Sequence, residues 1–457
     1  MLFSSISFLY YFLPCVLVLY FLVPRHFKNI ILLISSLFFY AWGEPRLVLL
    51  MSVTIVIGYV LGILMEKDAK HKRVYLITAL ISFLGALGYF KYTDFFIDNI
   101  NTVAGLSIPL LKIALPIGIS FYTFQILSYT IDVYRGQVKA QKNVIHLATY
   151  ITMFPQLIAG PIVRYKDVAI QLESREHSID NVALGIRRFV FGLSKKILIA
   201  NVLGEICETF RVSNDKSVLF YWMYAIAFSL HIYFDFSGYS DMAIGLGKAF
   251  GFDFMENFNY PYISKSITEF WRRWHISLGN WFRDYVYIPL GGSRVDTARH
   301  LFNILVVWML TGFWHGAAWN FIIWGLYFAI LLVIEKTFLL KHLEQSKVLS
   351  HVYVLLAVVI SFVIFNATSL PQVLTDIGGL FGRGNLPFVS EEALYYLRSY
   401  AVIFVLAMFG ATPIPKRLAS KWKISQYAEP VVLLLLLVVI TAYLVDGSFN
   451  PFLYFRF

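Results

Sequence analysis

Long stretches without a charged residue constrain this chain more than any other feature of its sequence. Residues 300–334 contain no Asp, Glu, Lys or Arg, and ten shorter stretches of this kind recur along the chain. A helix needs about 20 mostly apolar residues to cross the hydrocarbon core of a membrane, so such stretches belong in a bilayer. The ten shorter stretches are residues 1–24, 29–43, 47–65, 74–90, 113–131, 143–163, 217–234, 348–375, 399–415 and 430–445.

The overall composition indicates the same class of protein. Hydrophobic residues make up 59% of the chain and charged residues only 14%, whereas soluble domains contain roughly 25% charged residues. The sequence therefore predicts an all-α, polytopic membrane protein with roughly 10–13 membrane-embedded helices, some of them re-entrant or interfacial. Because no soluble domain, linker or internal repeat is apparent, residues 1–457 are predicted to form a single membrane-embedded domain.

The excess of positive charge, +11, is concentrated in short loops between the apolar stretches. Basic residues follow the first, third and fifth stretches, at 25–28, 67–73 and 135–142, and four more at 416–423 precede the last one. The positive-inside rule then places both termini on the outer side, with the basic loops against lipid headgroups. We therefore expect membrane lipids, and no nucleic acid, as partners of these loops.

Neither the cysteines nor the common catalytic motifs point to metal, nucleotide or covalent chemistry. Cys15 and Cys207 lie far apart and supply neither a disulfide framework nor a zinc site, so no metal is expected. The chain lacks a nucleophile elbow, a Walker-type phosphate loop, a Gly-x-Gly-x-x-Gly fingerprint and a His-Glu-x-x-His helix. Any reaction is therefore expected to proceed by direct removal of a proton from an incoming hydroxyl, without ATP.

Two prolines and a glycine interrupt the apolar segment Met153–Pro161. Proline breaks helices, and irregular backbone at membrane depth persists only against protein or a water-filled cavity. The segment is therefore predicted to form a re-entrant element that lines an interior funnel. A bent helix packed against lipid is the alternative.

Residues 266–282 have the pattern of one amphipathic helix. Ser266 and Glu269 have the spacing of a capping box, and the apolar side chains fall within one arc at ~100° per residue. A helix rich in Trp and Arg commonly lies flat at a bilayer surface, which accounts for most of the segment. It does not account for His275, which borders the apolar arc. That arc consists of Ile267, Phe270, Trp271, Trp274, Leu278, Trp281 and Phe282.

His315 lies within the longest charge-free stretch, between Gly312 and Gly316. An ionisable side chain at membrane depth is costly and usually faces a protein interior or a wet cavity. Histidine, with an unperturbed pKa of about 6.5, is suited to proton transfer near neutral pH. The flanking glycines allow close approach of backbone or substrate, and Trp314 and Trp319 are predicted to wall a pocket. Catalysis as a general base, a structural or gating role, and a proton relay all fit these residues. Among the other histidines, His231 is expected to bond a neighbouring helix.

Seven passages in this order resemble the membrane-bound O-acyltransferase family, and within it the bacterial branch that acetylates exported polysaccharides. The resemblance extends over nearly the whole chain, and its most specific parts are the Trp-His-Gly and Trp-His-x-Ser passages. The seven passages are Phe38–Gly43, Phe154–Pro161, Tyr233–Asp241, Phe270–Leu278, Trp281–Tyr285, Gly312–Gly316 and Asn450–Phe457.

The resemblance implies a helical bundle around a central tunnel in the bacterial cytoplasmic membrane, with the acyl donor reached from the cytoplasm. It implies that His315 is the catalytic residue and His275 the second characteristic residue, which orients the donor, stabilises an oxyanion or assists proton transfer. No tightly bound cofactor is expected, and acetyl-CoA is the expected acyl-donor substrate. The expected partners are a polysaccharide acceptor and an extracytoplasmic, hydrolase-like acyltransferase protein.

The expected function is transfer of an acetyl group across the membrane to hydroxyls of an exported or cell-wall polysaccharide, directly or through a partner on the outer side. D-alanyl transfer to teichoic acid shares the same two histidine passages and remains an alternative. A transporter or flippase for a lipid-linked saccharide, and a scaffold in a secretion complex, are rivals from other classes. Two groups of basic residues are candidates for contacts to donor phosphates, although headgroup contact explains them equally well. The first group is Arg272, Arg273 and Arg283, and the second is Arg187, Arg188, Lys195 and Lys196.

Overall fold

The computed structural model describes residues 1–158, 160–421, 428–447, 450 and 453. Over these residues the chain is helical and contains no strand, which confirms the all-α prediction. Short π-helical and 3₁₀ segments join or extend the α-helices. The α-helices are α1 Leu13–Leu22, α2 Lys28–Gly43, α3 Val48–Lys67, α4 Lys72–Ala104, α5 Ile119–Tyr134, α6 Val144–Thr152, α7 Phe154–Leu157, α8 Tyr165–Glu173, α9 Ile179–Ser194, α10 Asn201–Val212, α11 Val218–Ala249, α12 Ile267–Arg273, α13 Ile276–Phe282, α14 Thr297–His315, α15 Trp319–Ile334, α16 Leu340–Leu343, α17 Lys347–Asn366, α18 Leu370–Leu380, α19 Glu391–Gly410, α20 Ile414–Lys421 and α21 Ala428–Asp446.

Seven helices within the described ranges are long and apolar enough to cross a membrane, so the chain is a multi-pass membrane protein. The predicted total of roughly 10–13 membrane-embedded helices also counts shorter and re-entrant helices, and it stays a prediction. The central tunnel also stays a prediction. The long charge-free stretch 300–334 is divided between α14 and α15, which form a pair of helices. The seven crossing segments are Val48–Lys67, Lys72–Ala104, Val218–Ala249, Trp319–Leu343, Lys347–Asn366, Glu391–Gly410 and Ala428–Asp446.

The chain divides into two compact packing units. The first contains residues 1–189 and 240–255, and the second contains residues 190–239 and 256–457. The prediction of one domain over residues 1–457 is not tested by this division and stays a prediction.

In the first unit, the segment broken by proline is buried against other helices. Helix α6 ends at Thr152, and the four-residue helix α7 begins at Phe154. The backbone N–H of Phe154 donates to the Ser36 hydroxyl at 3.0 Å, and the Gln156 side chain donates to the Tyr150 carbonyl at 2.6 Å. The polar backbone groups around this break are thus hydrogen-bonded to other groups of the protein. The predicted break is confirmed, its re-entrant character stays a prediction, and Ala159 lies outside the described residues.

The second unit has a core of aromatic and aliphatic side chains contributed by helices α11, α12, α15 and α17. Within it, Lys196 and Asp235 form a buried ion pair at 2.6 Å. His231 contacts the Ala200 carbonyl through Nδ1 at 2.6 Å, as expected of a histidine that bonds a neighbouring segment. Of the terminal passage Asn450–Phe457, only Asn450 and Leu453 are described, and the Leu453 N–H donates to Asp235 at 3.3 Å.

The prediction of one continuous helix over residues 266–282 is wrong. Helix α12 ends at Arg273 and α13 begins at Ile276, because His275 between them has left-handed backbone with φ of 44°. The predicted N-cap is confirmed, since the Ser266 hydroxyl accepts from the Glu269 N–H at 3.0 Å. Most of the apolar arc packs into the core of this unit, including fully buried Ile267 and Phe270. The segment is therefore a buried helical bend around a histidine.

Candidate active site

His275 is held at the bend by backbone hydrogen bonds on both sides. The N–H of Asn259 donates to the Arg273 carbonyl at 2.9 Å, and the N–H of Ile276 donates to the Asn257 carbonyl at 3.0 Å. Left-handed backbone is uncommon for residues other than glycine, and persists where surrounding contacts over-determine it. Residues 257–259 supply those contacts, so the bend that points His275 inward is fixed by tertiary structure.

The side chain of Asn257 also holds the imidazole of His275. Its Oδ1 lies 3.2 Å from His275 Nδ1, and it accepts from the N–H and the hydroxyl of Ser277 at 3.1 and 2.9 Å. One amide oxygen therefore gathers three polar groups around the bend. Sequence reasoning did not identify Asn257, because an asparagine in an irregular loop carries no periodicity or spacing that distinguishes it.

The imidazole of His275 is buried among aromatic rings. Its exposed fraction is 2%, and the ring of Phe236 stands perpendicular to it with centroids 4.7 Å apart. Burial holds the pKa of His275 well below its usual range, and a charge on His315 lowers that pKa further. A low dielectric favours the uncharged imidazole. His275 is therefore neutral near pH 7, which is the protonation state that a base or hydrogen-bond acceptor needs.

His315 is the last residue of α14, at the tip of the α14–α15 hairpin. Gly312 and Gly325 permit the close packing of these helices, since a Cβ atom on Gly312 would lie 2.3 Å from the Phe321 carbonyl oxygen. A Cβ on Gly325 would lie 2.4 Å from the Trp308 carbonyl oxygen. The prediction that the glycines flanking His315 allow close approach is confirmed for backbone at Gly312.

Three aromatic rings surround His315, which is buried with an exposed fraction of 7%. The ring centroids of Trp314, Trp324 and Phe365 lie 5.0, 5.1 and 5.3 Å from that of His315. Trp314 therefore walls the site as predicted. Trp319 is about half exposed, and its place in a pocket wall stays a prediction. Trp324, five residues further along α15, contacts the ring of His315.

The fold brings the two histidines, 40 residues apart in sequence, to the same aromatic site. Trp314 contacts both, since its ring centroid lies 6.2 Å from that of His275 and 5.0 Å from that of His315. In the part of the chain that the structure describes, no group of three His, Cys, Asp or Glu residues could hold a metal ion.

A cavity of about 550 Å³ opens beside His275. Its wall includes Trp271, Trp308 and Thr311, and Thr311 lies one helical turn before His315. Pockets of this size hold the reactive part of a small-molecule substrate. His275 lies on the cavity wall itself, whereas His315 lies behind it, next to Trp324 and Trp314.

Three cationic side chains, Arg272, Arg283 and Lys336, line the same cavity, and none of its described lining residues carries a carboxylate. Arg283 also pairs with Asp284 at 2.7 Å. Lys336, which sequence reasoning did not identify, comes from the end of the stretch that begins with α15, 64 residues after Arg272. Like charges around one cavity repel each other, and an anionic ligand relieves that repulsion.

The other basic candidates are held by carboxylates or lie elsewhere. Arg273 pairs with Glu269 at 2.9 Å. In the first unit Arg188 pairs with Asp241 at 2.8 Å, and in the second Lys196 is occupied by Asp235. Arg187 and Lys195 are absent from the cavity wall.

Comparison with known proteins identifies the family. The profile of the membrane-bound O-acyltransferase family matches residues 34–373. A protein of Azotobacter vinelandii named "Probable alginate O-acetylase AlgI" is 38% identical over 100% of both chains. Its namesake in Pseudomonas aeruginosa is 44% identical over 90% of this chain and 81% of that protein. The peptidoglycan O-acetyltransferase of Helicobacter pylori is 34% identical over 87% and 83% of the two chains. This chain therefore belongs to the membrane-bound O-acyltransferase family and is an O-acyltransferase.

Proposed function

We propose that this enzyme transfers an acetyl group from a cytoplasmic thioester donor, acetyl-CoA, to hydroxyls of an exported or cell-wall polysaccharide. The observation that carries the proposal is the convergence of His275 and His315 on one buried aromatic site, beside a cavity with a cationic wall. The relatives named alginate O-acetylase and peptidoglycan O-acetyltransferase support a polysaccharide acceptor.

In the proposed reaction, His315 removes the proton from an acceptor hydroxyl as its oxygen attacks the carbonyl carbon of the donor. The new carbon–oxygen bond forms, the carbon–sulfur bond breaks, and sulfur leaves as a thiolate that recovers the proton. General-base assistance of this kind is typically worth 10²–10⁴-fold in rate, as an order of magnitude. The aromatic walls around His315 exclude water, which protects the acyl group from hydrolysis.

The cationic wall supports an anionic donor. Arg272, Arg283 and Lys336 come from three different helical segments and meet around the cavity that contains His275. Phosphate groups are bound by such clusters of Arg and Lys. We infer that they bind the phosphates of the donor while its thioester reaches towards the histidines.

The remaining parts of the proposal concern placement and partners. The enzyme is proposed to lie in the bacterial cytoplasmic membrane with both termini outside, as the positions of its basic loops favour. The basic loops contact lipid headgroups. Transfer to the polymer is either direct or completed by a hydrolase-like protein on the outer side. Reporter fusions at the two termini test the orientation, and co-purification from the native membrane tests the partner.

The decisive experiment measures acyl release from radiolabelled acetyl-CoA by purified protein in nanodiscs. Wild type is compared with His315→Ala and His275→Ala, and with His71→Ala as a matched control. His71 is an exposed histidine paired with Asp68, at 2.8 Å. We expect turnover by wild type and the control, and a loss of at least about 100-fold for His315→Ala. Unchanged turnover by His315→Ala would refute its role as the base.

The alternatives predict other results in the same assay. D-alanyl transfer predicts no turnover of acetyl-CoA but turnover of a D-alanyl thioester. A flippase or scaffold predicts no acyl release from either donor, even with a polysaccharide acceptor and the candidate partner present. Either result would overturn the proposed acetyl transfer.

A further inference from the structure

The contacts around Asn257 determine which nitrogen of His275 carries the proton. A backbone N–H can only donate, and the N–H of Ser277 points to Asn257 Oδ1 at 3.1 Å, so this atom is the amide oxygen. The same oxygen lies 3.2 Å from His275 Nδ1. Because a carbonyl oxygen can only accept, Nδ1 is the protonated nitrogen of the neutral ring. The Ser277 hydroxyl, 3.4 Å from Nδ1, is a second acceptor for the same proton.

The other nitrogen of the ring, Nε2, therefore carries a lone pair. This atom is buried and has no hydrogen-bond partner among the residues that the structure describes. Buried polar atoms without a partner are rare in folded proteins, and each one calls for an explanation. The cavity beside His275 provides that explanation, because a bound substrate that enters it can supply the missing donor.

We propose that Asn257 is a positioning residue that fixes His275 in the Nδ1–H form, so that Nε2 accepts a hydrogen bond from substrate in the acyl-transfer reaction. The inference rests on the proposed function and deepens it. Of the three roles open to His275, it excludes stabilisation of an oxyanion, because a lone pair repels a negatively charged oxygen. It retains the roles of orienting a substrate through a donor group and of assisting proton transfer.

The charges that face His275 all favour this neutral form. His315 lies behind the shared Trp314 ring, and Arg272, Arg283 and Lys336 line the cavity onto which His275 opens. The ring of Phe236 covers another face and carries no charge. Among the lining residues that the structure describes, none is a carboxylate that could stabilise an imidazolium. These cations would therefore repel a positive charge on His275.

The variant Asn257→Asp tests the proposal, since it keeps the shape and the accepting oxygen but adds a negative charge beside Nδ1–H. The carboxylate favours imidazolium, which raises the pKa of His275. If neutral His275 is the active form, the acid limb of the pH profile of kcat/KM should shift by about 1 unit or more toward higher pH. The value of kcat at high pH should be retained. Asn181→Asp, the same change in the first unit, should leave the profile in place.

A second variant, Asn257→Ala, tests whether Asn257 orients the His275 ring. Asn257→Ala removes the accepting oxygen, and we expect kcat to fall about 100-fold while KM changes little, because the ring loses its orientation. Retention of wild-type activity by Asn257→Ala would overturn the proposal. So would an acid limb that does not move in Asn257→Asp, or a basic limb that moves up instead, which is the result expected if His275 acts as a protonated donor.

A measurement that does not require turnover distinguishes this inference from the proposed function. Diethyl pyrocarbonate modifies neutral imidazole, and peptide mass spectrometry reports modification at His275 as a function of pH. The midpoint should be higher in Asn257→Asp than in wild type even if no acyl transfer is found. An unchanged midpoint would refute the role of Asn257, whatever the reaction of the enzyme.

Discussion

The substitution Gly312→Ala tests whether the spacing of the α14–α15 hairpin controls the position of His315. The added Cβ would lie 2.3 Å from the Phe321 carbonyl oxygen and 3.2 Å from the Gly325 Cα. Both contacts are with backbone, so rotation of a side chain cannot relieve them. Ordinary van der Waals contact begins near 3.4 Å, so the two helices must separate by about 1 Å.

The size of that separation sets the expected losses of folding stability and of catalytic rate in Gly312→Ala. Overpacking of a close-packed interior costs typically 1–3 kcal/mol. A misplacement of about 1 Å at a catalytic group costs roughly 100-fold in rate. Because His315 lies one turn beyond Gly312 on the same helix, we expect both effects together.

The assay combines thermal unfolding in detergent with turnover of acetyl-CoA, and Gly85→Ala is the matched control. Gly85 lies within the membrane-crossing helix α4, and a Cβ there meets nothing within 4 Å. This control should unfold at or slightly above the wild-type temperature, since alanine favours helix over glycine. Wild-type stability and activity in Gly312→Ala would refute the reasoning from close approach.

Three further predictions concern buried charge and the cavity wall. Asp235→Ala should destabilise the protein by about 3–5 kcal/mol because it removes the carboxylate that pairs with the buried Lys196 ammonium, whereas the double variant with Lys196→Met should recover most of that loss in thermal unfolding. Arg272→Gln and Lys336→Gln should each raise KM for acetyl-CoA with little change in kcat. An unchanged KM would show that these two side chains do not bind the donor. Glu335→Gln should lower the unfolding temperature by an amount equivalent to about 1–3 kcal/mol, because its carboxylate caps the start of α12 and an amide N–H₂ would face backbone donors there. Equal stability of Glu335→Gln and wild type would show that this cap is dispensable.

Much of the molecule could be predicted from composition and local pattern. The charge-free stretches determine an all-helical membrane protein, because only helices and closed barrels satisfy their backbone in lipid. His315 stands out because an ionisable group in 35 uncharged residues is costly and requires a reason. The capping of α12 by Ser266 and the break before Phe154 follow from local rules for serine and proline.

Other features depend on contacts between segments distant in sequence. The pattern of residues 266–282 favours a continuous helix, and only hydrogen bonds from residues 257–259 turn His275 into left-handed backbone. The position of Trp324 beside His315 depends on how α15 packs against α14. Lys336 joins Arg272 at the cavity for the same reason.

The sequence by itself thus determined the class of the protein and singled out His315, since the cost of burying an ionisable group in lipid acts on each residue locally. The resemblance of its motifs to those of the family added His275. Tertiary structure alone decided that the histidines share one site, that Asn257 sets the proton of His275, and that cations surround the cavity. The physical reason is that hydrogen bonds, ring contacts and electrostatic repulsion act over a few ångströms of space, and distance along the chain does not report distance in space.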